Sequence, residues 1–296
     1  MTALNRQPLR LAVAEAERIL TAAGVPSPRV DAELLAEHVL GVPRGNLPMV
    51  PLVDSSMIEI YRGLVTRRAE RIPLQHLVGV AGFGPVTLAV GPGVFVPRPE
   101  TELLLEWGLA AVADVRAPRV VDLCTGSGAL ALAMAASRSD AEVHAVESEP
   151  AALAWARRNI DTHVSAGGTP VQLHAADVTR NDVLVQLEAS VDLVLCNPPY
   201  VPDGSADREM PAEVADHDPA VALFGGPEGL AVIRPVVSLA AGLLRVGGGL
   251  AIEHHESHAD VLVELLGRRR VLGEVAGHRD LTDRPRFVTA RRRLAE

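Results

Sequence analysis

The chain has 296 residues, a formal net charge of −9 and a pI near 5.6, with 48% hydrophobic but only 3% aromatic residues. Such a length suggests two domains, while the acidity disfavours a phosphate backbone as partner and the scarcity of aromatics disfavours base stacking along a single strand. All 28 basic residues are arginine, which excludes Schiff-base chemistry, a Walker-type phosphate lysine and a lysine general base.

The opening segment carries Asn5, Arg6 and Gln7, followed by a helical pattern interrupted by Glu15 and Glu17, so no signal-peptide apolar region is expected. The best membrane candidate, 232–246, is cut by Arg234, Pro235 and Arg245 and falls short of the roughly 20 apolar residues that a span needs. Two cysteines, Cys124 and Cys196, make no disulfide framework. A cytoplasmic chain is expected, with no direct nucleic-acid or membrane binding and as a monomer.

Residues 9–72 read as helices: one over 11–23, one opening with Ser27 as N-cap and Pro28 in its first turn and ending at Gly41, and one over about 55–71. Arg62, Arg67, Arg68 and Arg71 on the third could meet an acidic partner, but a solvated face is the simpler reading. Between Ile72 and Pro99 the pattern changes to Gly, Pro and short Val-rich runs, which suggests a hairpin or extended linker. The expected organisation is a helical domain over 1–74, a linker over 75–99 and an α/β domain over 100–296.

From Arg119 onward, apolar runs at 120–123, 143–146, 171–174, 191–195 and 250–253 alternate with helical patterns. This predicts a parallel sheet with crossover helices. Two last runs, 271–275 and 286–290, flank a turn-rich stretch and are expected to form a terminal antiparallel pair.

The first of these strands runs into Asp122-Leu123-Cys124-Thr125-Gly126-Ser127-Gly128 and then a helix over 129–136. Glycines let a backbone approach a ligand closely, and the helix start offers free N–H groups. Glu147 lies 19 residues beyond Gly128 at the end of the second strand, where a carboxylate suits ribose hydroxyls. Because Gly126, Gly128 and Ala131 also satisfy the dinucleotide fingerprint, the loop alone leaves a nicotinamide dehydrogenase or a non-catalytic nucleotide-binding module open. Asp122 suits a ligand carrying an ammonium, such as a methionine moiety, and is an odd neighbour for a pyrophosphate; it could equally brace the loop. Asp177 and Val178, at the end of the third strand, could meet the adenine amino group and ring, although a plain turn aspartate reads almost as well.

The fourth strand ends in Asn197-Pro198-Pro199-Tyr200. An amide nitrogen is a poor nucleophile because its lone pair is delocalised into the carbonyl, and two acceptors aimed at its two N–H bonds would hold it. The Asn197 side-chain oxygen is one, and the carbonyl of Pro198 is the natural second, because consecutive prolines fix φ and offer no competing N–H. Tyr200 could pack on the planar amide, and Pro199 completes the rigid turn. The histidine-rich stretch Glu253 to His258 reads as a capped helix start, and no metal is expected.

With Asn197 to Tyr200 and Asp122 to Gly128, the segments 29–35, Pro73 to Leu77, Phe95 to Glu102 and Phe224 to Leu230 make the chain resemble the HemK/PrmC family of protein-(glutamine-N5) methyltransferases over nearly its full length. The resemblance implies a class I S-adenosylmethionine-dependent methyltransferase: a Rossmann-like seven-stranded sheet, mostly parallel with a terminal antiparallel strand, plus a small N-terminal helical-bundle domain that helps bind the release factor. It implies methylation of the glutamine in the Gly-Gly-Gln motif of peptide chain release factors, with S-adenosylhomocysteine as the product. Asn-Pro-Pro-Tyr alone is shared with adenine-N6 and guanine-N2 nucleic-acid methyltransferases, which stand as the alternative. Departures are Cys124 and Val178, where the family often has Gly and Trp, and Glu147, where it often has Asp.

Overall fold

The computed structural model describes residues 6–180, 182–204 and 210–294, and these fall into two compact units. One contains 6–80 together with Met210–His217, the other 81–204 and 218–294.

The first unit is built on helices α1 (Leu9–Ala22), α2 (Pro28–Leu40) and α3 (Ser55–Ala69), with a short α4 (Leu74–Val78). Their apolar faces meet around Leu20, Leu35, Ile58 and Val65, and the buried Tyr61 hydroxyl donates to the Ala32 carbonyl at 3.0 Å. Gly41 closes α2 in the left-handed conformation as the Ser27–Gly41 pattern predicts, although the Ser27 side chain makes no capping bond. Strands β1 (Arg6–Pro8) and β2 (Leu52–Asp54) pair antiparallel, a three-residue ladder too short to show a period in sequence.

The reading of the α3 arginines as a solvated face holds for the exposed Arg62 and Arg67 but is corrected at Arg68. That residue is 4% exposed and pairs with Asp31 at 2.7 Å and Glu213 at 2.6 Å, while Arg71 donates to Glu213 at 2.9 and 2.5 Å. A guanidinium tolerates burial when its fork is matched by carboxylates. Here the matching carboxylate comes from the helix Ala212–His217, on the segment that returns to this unit.

In the second unit, the hairpin β3 (Val80–Phe83) and β4 (Val86–Ala89) precedes a seven-stranded sheet. Its order is β10-β11-β9-β8-β5-β6-β7, with β5 (Arg119–Leu123), β6 (Glu142–Glu147), β7 (Val171–Ala175), β8 (Val191–Cys196), β9 (Leu244–Glu253), β10 (Leu272–Arg279) and β11 (Pro285–Arg292). Strands β5 to β9 pair parallel, and β11 runs antiparallel to both its neighbours.

Both faces of the sheet are covered. Leu193 and Leu195 of β8 join one cluster with α5 (Glu102–Ala111) and α6 (Ala129–Ser137), while Val194 and Cys196 join the other with the helix Ile233–Leu243. Helix α6 is buried along most of its length because it is almost entirely Ala and Leu. Doubly covered parallel strands explain why the core runs read as continuous apolar stretches without alternation. Among the described residues, no helix is long and apolar enough to cross a membrane.

Candidate active site

Register places the candidate residues together. Leu123 of β5 pairs with Val146 of β6 and Cys196 of β8, and Cys196 pairs with Ile252 of β9. The residues that follow, Cys124, Glu147, Asn197 and Glu253, therefore stand side by side at the carboxyl edge, where open α/β sheets bind ligands.

Asp122 is 1% exposed. Its Oδ2 accepts from Thr125 Oγ1 at 2.5 Å and from the Ala131 N–H at 3.1 Å, so it does brace the loop. Its Oδ1 is buried with no hydrogen-bond partner. Burial raises this carboxyl to a pKa of about 7, against the pull of the two hydrogen bonds. A desolvated, half-satisfied carboxylate is what a cation-bearing ligand needs, so the residues fit the ammonium of a methionine moiety.

The loop turns at Cys124, a non-glycine residue at φ 61°, and passes through Gly126 to Gly128, whose φ of 88° opens α6. Thr125 donates its N–H to the Val146 carbonyl at 3.0 Å, and the Ser127 carbonyl accepts from Asn159 at 2.9 Å, which ties the loop to β6 and to α7 (Pro150–Ser165). Glu147 accepts from the Gly126 N–H at 2.9 Å and from the N–H groups of Ser148 and Glu149 at 2.8 and 2.9 Å. It thus holds the glycine loop against the second strand.

The two adenine candidates separate. Val178 is buried in the core, whereas Asp177 is exposed and accepts from the Thr179 N–H and hydroxyl at 2.8 and 2.7 Å, bonds that keep its pKa below the usual range. The structure thus gives Asp177 the turn geometry read as its alternative.

At the end of β8, Asn197 donates from Nδ2 to Thr101 Oγ1 at 3.1 Å. Thr101 donates to Glu253 Oε2 at 2.7 Å, and Tyr200 donates to Glu253 Oε1 at 3.0 Å. Burial raises the Glu253 carboxyl, which Thr101, Tyr200 and Arg286 partly counter, and it also pushes the Tyr200 phenol up. Among the described residues, no donor engages Asn197 Oδ1 or the Pro198 carbonyl.

The segment Phe224 to Leu230 lies against this turn. Val201 donates to the Leu223 carbonyl at 2.8 Å and Gly225 to the Val201 carbonyl at 2.9 Å, and Gly229 approaches the Tyr200 carbonyl so closely that no Cβ fits. Neither Thr101 nor Glu253 was singled out from the sequence as a site residue; their signal is Glu253's place at a strand end on the same edge. After β9 ends at Glu253, Glu256–His258 form a single helical turn capped by His255, whose side chain accepts from the Ser257 N–H, a capped helix start as expected.

Residues 12–79 match the PrmC N-terminal domain family and residues 87–218 the methyltransferase small domain family. A protein of Mycolicibacterium smegmatis named release factor glutamine methyltransferase is 55% identical over 96% of this chain and 98% of its own. The chain belongs to the release factor glutamine methyltransferase family. Members from Mycobacterium tuberculosis and Streptomyces coelicolor share 48% and 45% identity over 96% and 95% of this chain, covering 91% and 97% of their own lengths. The family's catalytic fold recurs in the Thermus thermophilus 16S rRNA N2 G1207 methyltransferase, with a TM-score of 0.50 at 24% identity over 72% of this chain and 50% of that one. It recurs also in the hMettl16 catalytic domain, with a TM-score of 0.54 at 14% identity over 69% and 75%.

Proposed function

We propose that the chain transfers a methyl group from S-adenosylmethionine to the side-chain amide nitrogen (N5) of the glutamine in the Gly-Gly-Gln motif of peptide chain release factors. Family membership over nearly the full chain supports the reaction. The observation that carries the assignment of the site is the pair of unengaged acceptors, Asn197 Oδ1 and the Pro198 carbonyl, on consecutive residues at the ligand edge of the sheet.

Asp122, Thr125, Gly126, Ser127, Gly128 and Glu147 would hold the cofactor with Cys124, Asn197 and Val178 nearby, Asp122 facing its ammonium and Glu147 its ribose. Asp177, already satisfied by Thr179, contributes less. When bound, the cofactor supplies an electrophilic methyl on a sulfonium.

Asn197 and Pro198 each accept one N–H of the glutamine amide. They fix the orientation of a nitrogen whose lone pair is otherwise delocalised into its carbonyl. Each such bond is worth only about 1 kcal/mol net, whereas correct positioning supplies roughly 7–11 kcal/mol. Orientation therefore outweighs hydrogen-bond strength, and no side chain has to remove a proton before transfer; the nitrogen sheds it after gaining the methyl. Tyr200, anchored through its hydroxyl to Glu253, offers a fixed ring for the planar amide, and Pro199 keeps the turn rigid.

The formal charge of −9 supports a protein substrate over a nucleic acid, and the free thiols of Cys124 and Cys196 fit a reducing cytosol. The enzyme is read as a cytoplasmic monomer.

Labelled S-adenosylmethionine and a purified release factor test the reading. Label should enter the factor, vanish when its Gly-Gly-Gln glutamine is replaced, and fall with Asn197→Ala. Transfer that survives Asn197→Ala would remove the acceptor role, and label in RNA or DNA instead of the factor would move the substrate to the nucleic-acid alternative.

A further inference from the structure

A primary amide presents an oxygen at one end and an NH₂ at the other, and the two ends are nearly the same size. If Asn197 is to accept a substrate N–H, something must decide which end faces outward. Shape cannot do so, but hydrogen-bond polarity can.

Behind Asn197 lie Thr101, 4% exposed, and Glu253, 1% exposed. A threonine hydroxyl has a single proton, and Glu253 accepts a hydroxyl on each of its oxygens, from Thr101 on one and from Tyr200 on the other. Thr101 spends that proton on Glu253 at 2.7 Å, so toward Asn197, 3.1 Å away, it offers lone pairs alone. Only the NH₂ end of the asparagine satisfies them. The reversed amide would set its oxygen against the Thr101 oxygen, two acceptors facing each other in a buried place, an arrangement that costs the desolvation of both. The second carboxylate oxygen is taken by the Tyr200 hydroxyl at 3.0 Å, so the same carboxylate orders both ends of the Asn-Pro-Pro-Tyr turn.

We propose that Thr101 is a positioning residue which, directed by Glu253, locks the Asn197 amide with its oxygen as the free end. This rests on the acceptor role assigned to Asn197 above. It also gives a chemical reason for a Thr after Pro99-Glu100: Thr101 starts the first turn leading into α5, and its hydroxyl reaches from there to the ends of β8 and β9.

The test compares Thr101→Val, which keeps the shape and removes the hydroxyl, with Thr101→Ser, which restores it, and runs Asn197→Ala beside them. With Thr101→Val, kcat for release-factor methylation should fall about 100-fold, the scale of a misplaced catalytic group. KM for the factor and affinity for S-adenosylhomocysteine should stay unchanged, and Thr101→Ser should recover most of the lost rate. Wild-type kcat in Thr101→Val, a serine variant as impaired as the valine one, or a loss confined to KM would each overturn the proposal. Full activity in Asn197→Ala would instead overturn the role of Asn197 itself.

Should Thr101→Val fail to bind S-adenosylhomocysteine and so betray a disordered site, the wild-type protein decides. In a sample labelled with ¹⁵N-asparagine, the Asn197 side-chain amide, assigned by its absence from Asn197→Ala, should exchange its protons slowly with water. Exchange as fast as that of an exposed asparagine amide would refute the lock.

Discussion

Gly229→Ala is the sharpest perturbation that the geometry offers, because it substitutes none of the proposed site residues and acts only on the backbone that carries them. Gly229 sits at φ 69°, and an added Cβ would lie 2.6 Å from His258 Cε1 and nearer still to the Tyr200 carbonyl oxygen. Holding an alanine in the left-handed conformation costs about 1–2 kcal/mol. Relieving the overlap requires roughly 1 Å of movement, and the group that must move is the backbone of the Asn-Pro-Pro-Tyr turn. A displacement of that size lowers turnover about 100-fold. The same strain should lower Tm by roughly 2–8 °C, at about 2–4 °C per kcal/mol for a unit of this size. Methylation kinetics with a purified release factor read the first effect, and thermal unfolding the second. Titration with S-adenosylhomocysteine should show little change, since the atoms nearest to the added Cβ belong to Tyr200 and His258 and not to the glycine loop. Gly79→Ala is the control: it has φ 79° and nothing within 4 Å, so it carries the conformational cost alone. If Gly229→Ala loses stability yet keeps wild-type kcat, the turn is not held by the segment packed on it and the reasoning fails.

Four other outcomes follow from the same contacts. With Asp122 raised to a pKa of about 7 by burial, the cofactor-free protein binds a proton there that the unfolded chain, at 3.8, does not. Its stabilising share is full below the unfolded value and is lost as pH rises through 7, so Tm of the cofactor-free protein should slope down from pH 5 to 8 and Asp122→Asn should flatten that slope. Cofactor affinity should move the opposite way, strengthening as pH rises through 7, with proton release on binding at pH 6 visible as a buffer-dependent heat. Glu147→Ala leaves three loop and strand-end N–H groups without their carboxylate and should weaken S-adenosylhomocysteine binding at least about 10-fold, whereas Asp177→Ala should change it little. Arg68→Ala strands the buried Asp31, leaves Glu213 with Arg71 alone, and should cost about 3–5 kcal/mol in thermal or urea unfolding.

Much of this architecture was legible in the sequence, because strands covered on both faces must be apolar throughout and each ends in a residue with chemistry. The runs ending near Asp122, Glu147 and Asn197 announced themselves in that way. Strand β9 was readable only over 250–253, since Gly247, Gly248 and Gly249 imitate a turn, while in the structure they continue the strand where the side chain of Trp107 comes close to Gly249. The edge strand β10 extends to Arg279 because a strand with one neighbour can end in polar residues. The hydrogen-bond chain behind Asn197 was not readable: Thr101 and Glu253 lie 152 residues apart, and neither residue has a local pattern that signals the other. Arg68 was misread for the same reason, since its second carboxylate comes from position 213.

The helical unit closes only when the chain comes back to it at Met210–His217, ten residues after Tyr200. It is therefore a clasp threaded by the polypeptide at two places, and no single cut separates it cleanly. Deleting 1–80 would remove Arg68 and Arg71 and leave Glu213, whose pKa their hydrogen bonds hold at about 2, as an orphaned carboxylate on the stretch that follows the Asn-Pro-Pro-Tyr turn. A catalytic unit prepared by truncation would carry that frayed end with it. Obtaining one half alone requires excising 210–217 as well and joining its flanks, or permuting the chain so that both strands of the clasp travel together.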